Sequence, residues 1–169
     1  FQTYHGIKAL AKSKEAGKIP EVLSRMHFLE EQQNPIVSIN SGIYEVLLRY
    51  LVNNSKVAKE VFDKMALLYK IGNESMKPTP ICCNLFLKAV SSESAKEGQA
   101  ELLQMINDFI RKDIDYLPDA IGFNTVLNAW FKQKTSASTP AMDKVLSVME
   151  YLGNKDDTGV APDSVTYCE

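Results

Sequence analysis

Two histidines, three cysteines and a recurring set of asparagines and aspartates are the residues here whose types suit chemistry. His5 and His27 lie far apart in sequence, with no Cys or carboxylate cluster beside them, so neither opens a metal site. Cys82 and Cys83 are adjacent and Cys168 lies near the end, which is no metal-ligand spacing. A small odd number of cysteines fits a reducing compartment and no disulfide framework. Nothing at their spacing lowers a thiol pKa recognisably. No phosphate-binding loop, nucleophile elbow or zinc-protease helix is visible. Asp156 and Asp157 fall in a Gly-containing loop and read as solvated. The chain is therefore read as having no catalytic residue, no metal and no cofactor.

The asparagines and aspartates remain. Asn84 and Asn124 each follow an apolar residue, Cys83 and Phe123, early in an expected helix. Asn is a mediocre helix former, so its return at one phase asks for a reason. One is a buried amide bonded to the neighbouring helix; the other is ligand contact. Asp119 and Asp163 each follow proline and precede a helix. On residue chemistry alone both are helix caps, worth roughly 0.5–2 kcal/mol each. A carboxylate has two oxygens, so capping leaves capacity for a second partner.

The elements that must position these residues repeat along the chain. Four segments share one pattern: Tyr4–Leu10, Tyr44–Tyr50, Cys83–Ala89 and Phe123–Ala129. A fifth opens at Thr166-Tyr167-Cys168. The openings at 4, 44, 83, 123 and 167 are spaced by 40, 39, 40 and 44 residues. A second pattern follows each, ending on Met26, Met65, Met105 and Met149. Both carry apolar residues at three- and four-residue spacing, the mark of one buried helix face. That phase places the opening aromatics Tyr4, Tyr44, Phe123 and Tyr167, and the Met series, in the core. Breakers separate the helices: Glu15–Pro20, Asn53–Ser55, Ser91–Ser94 and Lys134–Pro140 within pairs; Gln33–Pro35, Gly72–Pro78, Asp115–Pro118 and Gly153–Pro162 between them. Pro20 suits the first turn of a helix.

No segment shows a strand pattern, so the fold is expected to be all-α: about eight helices in antiparallel hairpins that stack into an α-solenoid. The units are expected at 1–40, 41–79, 80–119 and 120–163, with the start of a fifth at 164–169. The first helix of each pair is expected to line the concave face. Hydrophobic residues make up 45% and charged residues 24%, as in ordinary globular proteins. No run of about 18 apolar residues exists to span a membrane. The net charge of −2 argues against bulk attraction to phosphate, so nucleic acid would need a local face. The chain opens on Phe1 without a targeting-like segment and reads as a piece of a longer protein.

The joints narrow the family. Tyr116-Leu117-Pro118-Asp119-Ala120-Ile121-Gly122-Phe123-Asn124-Thr125-Val126-Leu127-Asn128-Ala129-Trp130 resembles the junction of pentatricopeptide repeats. So does Val160-Ala161-Pro162-Asp163-Ser164-Val165-Thr166-Tyr167, where Cys168 stands in place of Asn. In that family a repeat ends in Pro-Asp and the next helix opens with an apolar residue, Thr, Tyr and Asn. The match is stronger over 78–169 than over 1–77. The periods are longer than the family's, with the excess in the loops. Tetratricopeptide repeats would show a Trp-x-x-Leu-Gly-x-x-Tyr first helix, which is lacking.

The resemblance implies a right-handed solenoid of about four repeats that binds single-stranded RNA, one base per repeat. Asn84 with Asp119, and Asn124 with Asp163, would read two adjacent bases, with uracil implied for each. Ile81, Ile121 and Val165 would wedge between bases. The amides would stand on an open concave wall beside their carboxylates. The corresponding pairs in the first two units are His5 with Asn40 and Glu45 with Thr79, which translate into no base. Their wedge positions hold Gln2 and Gly42, and Gly42 has no side chain to pack. Lys132, about two turns beyond Asn124, would meet a phosphate or simply face water at a helix C-terminus. The family also implies RNA processing, stability or translation in a mitochondrion or plastid. A protein-interaction scaffold is the alternative, favoured by Glu45 and the acidic balance.

Overall fold

The computed structural model describes residues 5–6, 9–10, 12–33, 38–154 and 160–167. Gln2, Tyr4, Asp156, Asp157 and Cys168, and the side chain of Val165, lie outside the described residues. Every regular element among the described residues is helical. A 3₁₀ turn, Ala16–Lys18, leads into α1 (Ile19–Glu31). There follow α2 (Ser41–Tyr50), α3 (Ser55–Lys70), α4 (Pro80–Glu93), α5 (Ala95–Ile110), α6 (Ala120–Gln133), α7 (Ser138–Gly153) and the short α8 (Ser164–Tyr167).

Helix starts follow from side-chain capping. Asn40 accepts the N–H of Gly42 and Ile43 at the head of α2, and Asn54 accepts that of Val57 in α3. Thr79 accepts the Cys82 N–H, with Pro80 in the first turn of α4. Ser94 accepts the Glu97 N–H, and Asp119 that of Ile121. α1 carries no side-chain cap and starts with Pro20 in its first turn, where the missing N–H costs nothing.

Two joints differ from the breaker reading. Ser91, Ser92 and Glu93 stay helical, and Ser94 alone separates α4 from α5. It ends one helix and caps the next, so a single residue makes the turn. After α6, Lys134 adopts the left-handed conformation (φ 47°), while Thr139 and Pro140 already belong to α7. The Gly72–Pro78 joint contains a 3₁₀ turn, Glu74–Met76, whose Met76 is fully buried.

The helices contact one another in a regular order. α2 packs on α3, α4 on α5 and α6 on α7, joined by short turns. The first members also touch in succession: α2 on α4, α4 on α6, α6 on α8. The second members do so at α1 on α3 and α5 on α7. Met26, Met65, Met105 and Met149 are buried, as are Tyr44, Cys83 and Phe123. Tyr167 departs from that phase: it is exposed, and its hydroxyl donates to Glu150 at 3.1 Å. α4 feeds the core on two sides, with Phe86, Ala89 and Val90 in one cluster and Leu87 in the next. Phe62 stacks on Phe86 with ring centroids 4.5 Å apart.

α1 is tied to α2 by a buried polar contact. His27 Nε2 lies 2.7 Å from the Tyr44 hydroxyl, and His27 Nδ1 lies 3.5 Å from Glu30. Burial lowers the His27 pKa and raises that of Tyr44. Both are therefore neutral at pH 7, with the phenol donating to Nε2 and Nδ1–H turned to the carboxylate.

Candidate nucleic-acid interface

The structure brings both expected pairs together. Asn84, one turn into α4, donates from Nδ2 to Asp119 Oδ1 at 2.8 Å. Asn124, at the same place in α6, lies with Nδ2 3.5 Å from Asp163 Oδ1, at the outer limit of a hydrogen bond. Both aspartates also cap. Asp119 Oδ1 accepts the Ile121 N–H at 2.9 Å, and Asp163 Oδ1 accepts the Thr166 N–H at 3.0 Å. The capping and pairing readings thus coexist, as two lone-pair sites on one oxygen allow.

The amides do not stand on an open wall. Asn84 is 8% exposed and Asn124 9%, each set between its own first helix and the next unit's. The carboxylates are the accessible part: Asp119 is partly exposed and Asp163 exposed. The bonds from Asn84 and from the Ile121 N–H both fall on Asp119 Oδ1, so neither engages Oδ2. The charge sits at a helix N-terminus, where the backbone dipole favours an anion.

The amide oxygens of the two pairs differ in their surroundings. Asn124 Oδ1 receives the Thr166 hydroxyl at 3.0 Å. Asn84 Oδ1 is buried with no donor. An orphaned buried acceptor costs roughly 1–3 kcal/mol.

Ile81 and Ile121 are exposed, at 46% and 66%, although both are large and apolar. A groove of about 680 Å³ runs between α4 and α6, lined by Ile121, Thr125 and Asn128, by the cations Lys88 and Lys132, and by Glu93, whose carboxylate bonds Ser55. Lys132 lies in the last turn of α6 and is exposed. Lys88 went unnoticed in the sequence because it lies one turn beyond Asn84, whereas Lys132 lies two turns beyond Asn124. Only the fold puts them in one groove.

In the second unit Glu45 and Thr79 do not pair with each other and hold other partners. Glu45 turns to Arg49 on its own helix at 2.9 Å, while Thr79 caps α4 and donates to Cys82 Sγ. Asn40 caps α2, and His5 is exposed. Gly42 is exposed and has no side chain to wedge.

Among the described residues no three His, Cys, Asp or Glu side chains gather as a metal site, and no helix is long and apolar enough to cross a membrane. Burial pushes both Cys82 and Cys83 above the ordinary thiol range, so both are protonated and poor nucleophiles.

A pentatricopeptide repeat-containing protein of Arabidopsis thaliana is 24% identical to this chain over 165 residues, covering 90% of the chain. The chain spans 27% of that relative's length. No family model and no solved structure matches. By sequence the chain is similar to a pentatricopeptide repeat protein, and by structure it is all-helical.

Proposed function

We propose that the chain is a stretch of right-handed α-solenoid that binds single-stranded RNA and does no chemistry itself. Its repeats run 80–119 and 120–163, preceded by divergent repeats at 1–40 and 41–79, with another opening at 164–169. Asn84 with Asp119 and Asn124 with Asp163 each meet the Watson–Crick edge of one unstacked base. Uracil is the favoured base at both: its N3–H suits an outward carboxylate oxygen and its carbonyl suits an amide N–H. Ile81 and Ile121, with Val165 at the matching position, separate the bases. Lys88 and Lys132 meet the backbone. A role in organellar RNA processing, stability or translation belongs to the same reading, on the resemblance of the junctions at Asp119 and Asp163 to pentatricopeptide repeats.

One observation carries this reading. Two successive units each set an Asn against the Asp that closes the unit, at 2.8 and 3.5 Å, beside an exposed isoleucine. A merely structural cap needs neither the amide nor the exposed apolar neighbour.

Fluorescence anisotropy with oligo-U, oligo-A, oligo-C and oligo-G tests it on the full-length protein. Tightest binding to oligo-U is expected. Negligible binding to all four, with a protein partner that survives RNase, would replace this reading with that of an interaction scaffold.

A further inference from the structure

The first helix of each unit starts with a cap residue, and the third residue of that helix lies against the Asn or Glu of the unit before. Thr166 holds this place beside Asn124, Gly122 beside Asn84 and Cys82 near Glu45. The Thr166 hydroxyl bonds Asn124 Oδ1. A Cβ on Gly122 would lie 2.5 Å from Asn84 Oδ1. Burial raises the Cys82 thiol pKa, and the Glu45 charge adds to it.

Only Thr supplies a strong donor there. The Thr166 hydroxyl accepts the Asp163 N–H at 3.1 Å and has one proton to give. Asn124 Oδ1 and Asp163 Oδ1 are both 3.0 Å away. The carboxylate oxygen already has the Thr166 N–H and faces Asn124 Nδ2. The amide oxygen is in a buried contact and needs a donor, so the proton belongs to Asn124.

Resting on the proposed RNA reading, we infer that Thr166 is a specificity-determining residue. By donating to Asn124 Oδ1 it locks the amide with its oxygen inward and its N–H groups towards Asp163 and the base. A flipped amide would lose that bond and set its oxygen against the carboxylate. Unit 120–163 thus shows a base one fixed pattern, an amide donor beside a carboxylate acceptor. Uracil complements it with a carbonyl and N3–H, whereas cytosine presents an amino donor and a bare ring nitrogen. Asn84 has Asp119 on one side and, across from it, Gly122 with nothing to donate. Its amide is held by the Asp119 bond alone, so turning its oxygen outward to accept the cytosine amino group breaks one hydrogen bond where Asn124 would break two. The unit 120–163 therefore rejects cytosine more strongly than the unit 80–119.

The test compares wild type, Thr166→Val and Thr166→Ser in the full-length protein, titrating oligo-U and oligo-C. Val keeps the shape and removes the hydroxyl, and Ser keeps the hydroxyl. In Thr166→Val the U-to-C affinity ratio is expected to fall by about three- to tenfold, the size of one hydrogen bond. Thr166→Ser is expected to retain the ratio. A merely structural Thr would weaken both oligonucleotides alike, so an unchanged ratio in Thr166→Val overturns the inference. Absence of oligo-U preference in the wild type overturns instead the RNA reading beneath it. Should Thr166→Val unfold, asparagine-selective 15N relaxation on the wild type decides. The Asn124 side-chain amide is expected to be the more ordered of the two, and equal order with Asn84 rejects the lock.

Discussion

Asp119 does two jobs with one oxygen. It caps α6 through the Ile121 N–H and anchors the Asn84 amide of the preceding unit. Capping is chemistry that Asn performs as well as Asp. Reading a ligand donor with a charged oxygen is not, since charge-assisted hydrogen bonds are about twice as strong as neutral ones. The two roles separate in two variants. Asp119→Ala removes the cap and leaves the Asn84 amide without its acceptor, so it is expected to destabilise the fold by about 2 kcal/mol or more. Asp119→Asn keeps an oxygen in place and is expected to stay within about 0.5 kcal/mol of wild type, while losing about tenfold in oligo-U affinity. Urea midpoints and oligo-U titrations measure the two effects. If Asp119→Asn binds oligo-U as the wild type does, Asp119 is a cap and nothing more.

At the scale of the element, the closeness of α4 and α5 depends on Gly98. A Cβ added there would lie 1.9 Å from Ser91 Oγ and 2.9 Å from its Cβ. The Ser91 hydroxyl is itself buried without a partner. Gly98→Ala gains in helix propensity, by up to about 1 kcal/mol. It loses more through overpacking, typically 1–3 kcal/mol, since a helix backbone moves less easily than a side-chain tip. Ser91→Ala removes an orphaned hydroxyl and is expected to be neutral or stabilising. Combined with Gly98→Ala it is expected to recover part of the loss, as thermal or urea melts would show. Strict additivity of the two changes would mean that the helices do not meet there.

The same scale shows what could be read in the sequence. Helix faces were legible because the apolar spacing repeats: Tyr44, Phe123 and the four Met residues are buried where their phase placed them. The Asn–Asp partnership was legible only through the repeated junction, since no local rule pairs residues 35 positions apart. Joint lengths were not. Three serines in Ser91–Ser94 read as a breaker, yet burial of Ser91 against Gly98 keeps α4 helical to Glu93. Nor were contacts whose partners obey no period, such as His27 with Tyr44 or Thr166 with Asn124. The burial of the amides was missed because a sequence position assigns a face, while depth depends on how closely the next helix approaches.

For the molecule as a whole, net charge and local charge point in different directions. With 19 basic against 21 acidic residues, the chain has no bulk attraction for a polyanion. Any electrostatic hold on RNA must therefore come from placement, and Lys88 and Lys132 share one groove beside Ile121. This constrains the salt dependence. For single strands the slope of log affinity against log salt is about −0.7 per phosphate neutralised. Lys88→Gln and Lys132→Gln are thus each expected to make the slope shallower by about 0.7 in the full-length protein, and to weaken oligo-U, oligo-C, oligo-A and oligo-G alike. Substitution at Asn84 or Asn124 is expected to do the opposite, changing the ranking of the four and leaving the slope alone. Titrations at several salt concentrations distinguish the two patterns. A lysine variant that reorders the bases without moving the slope would place that lysine at a base edge, and the division between base-reading amides and backbone-holding lysines would fail.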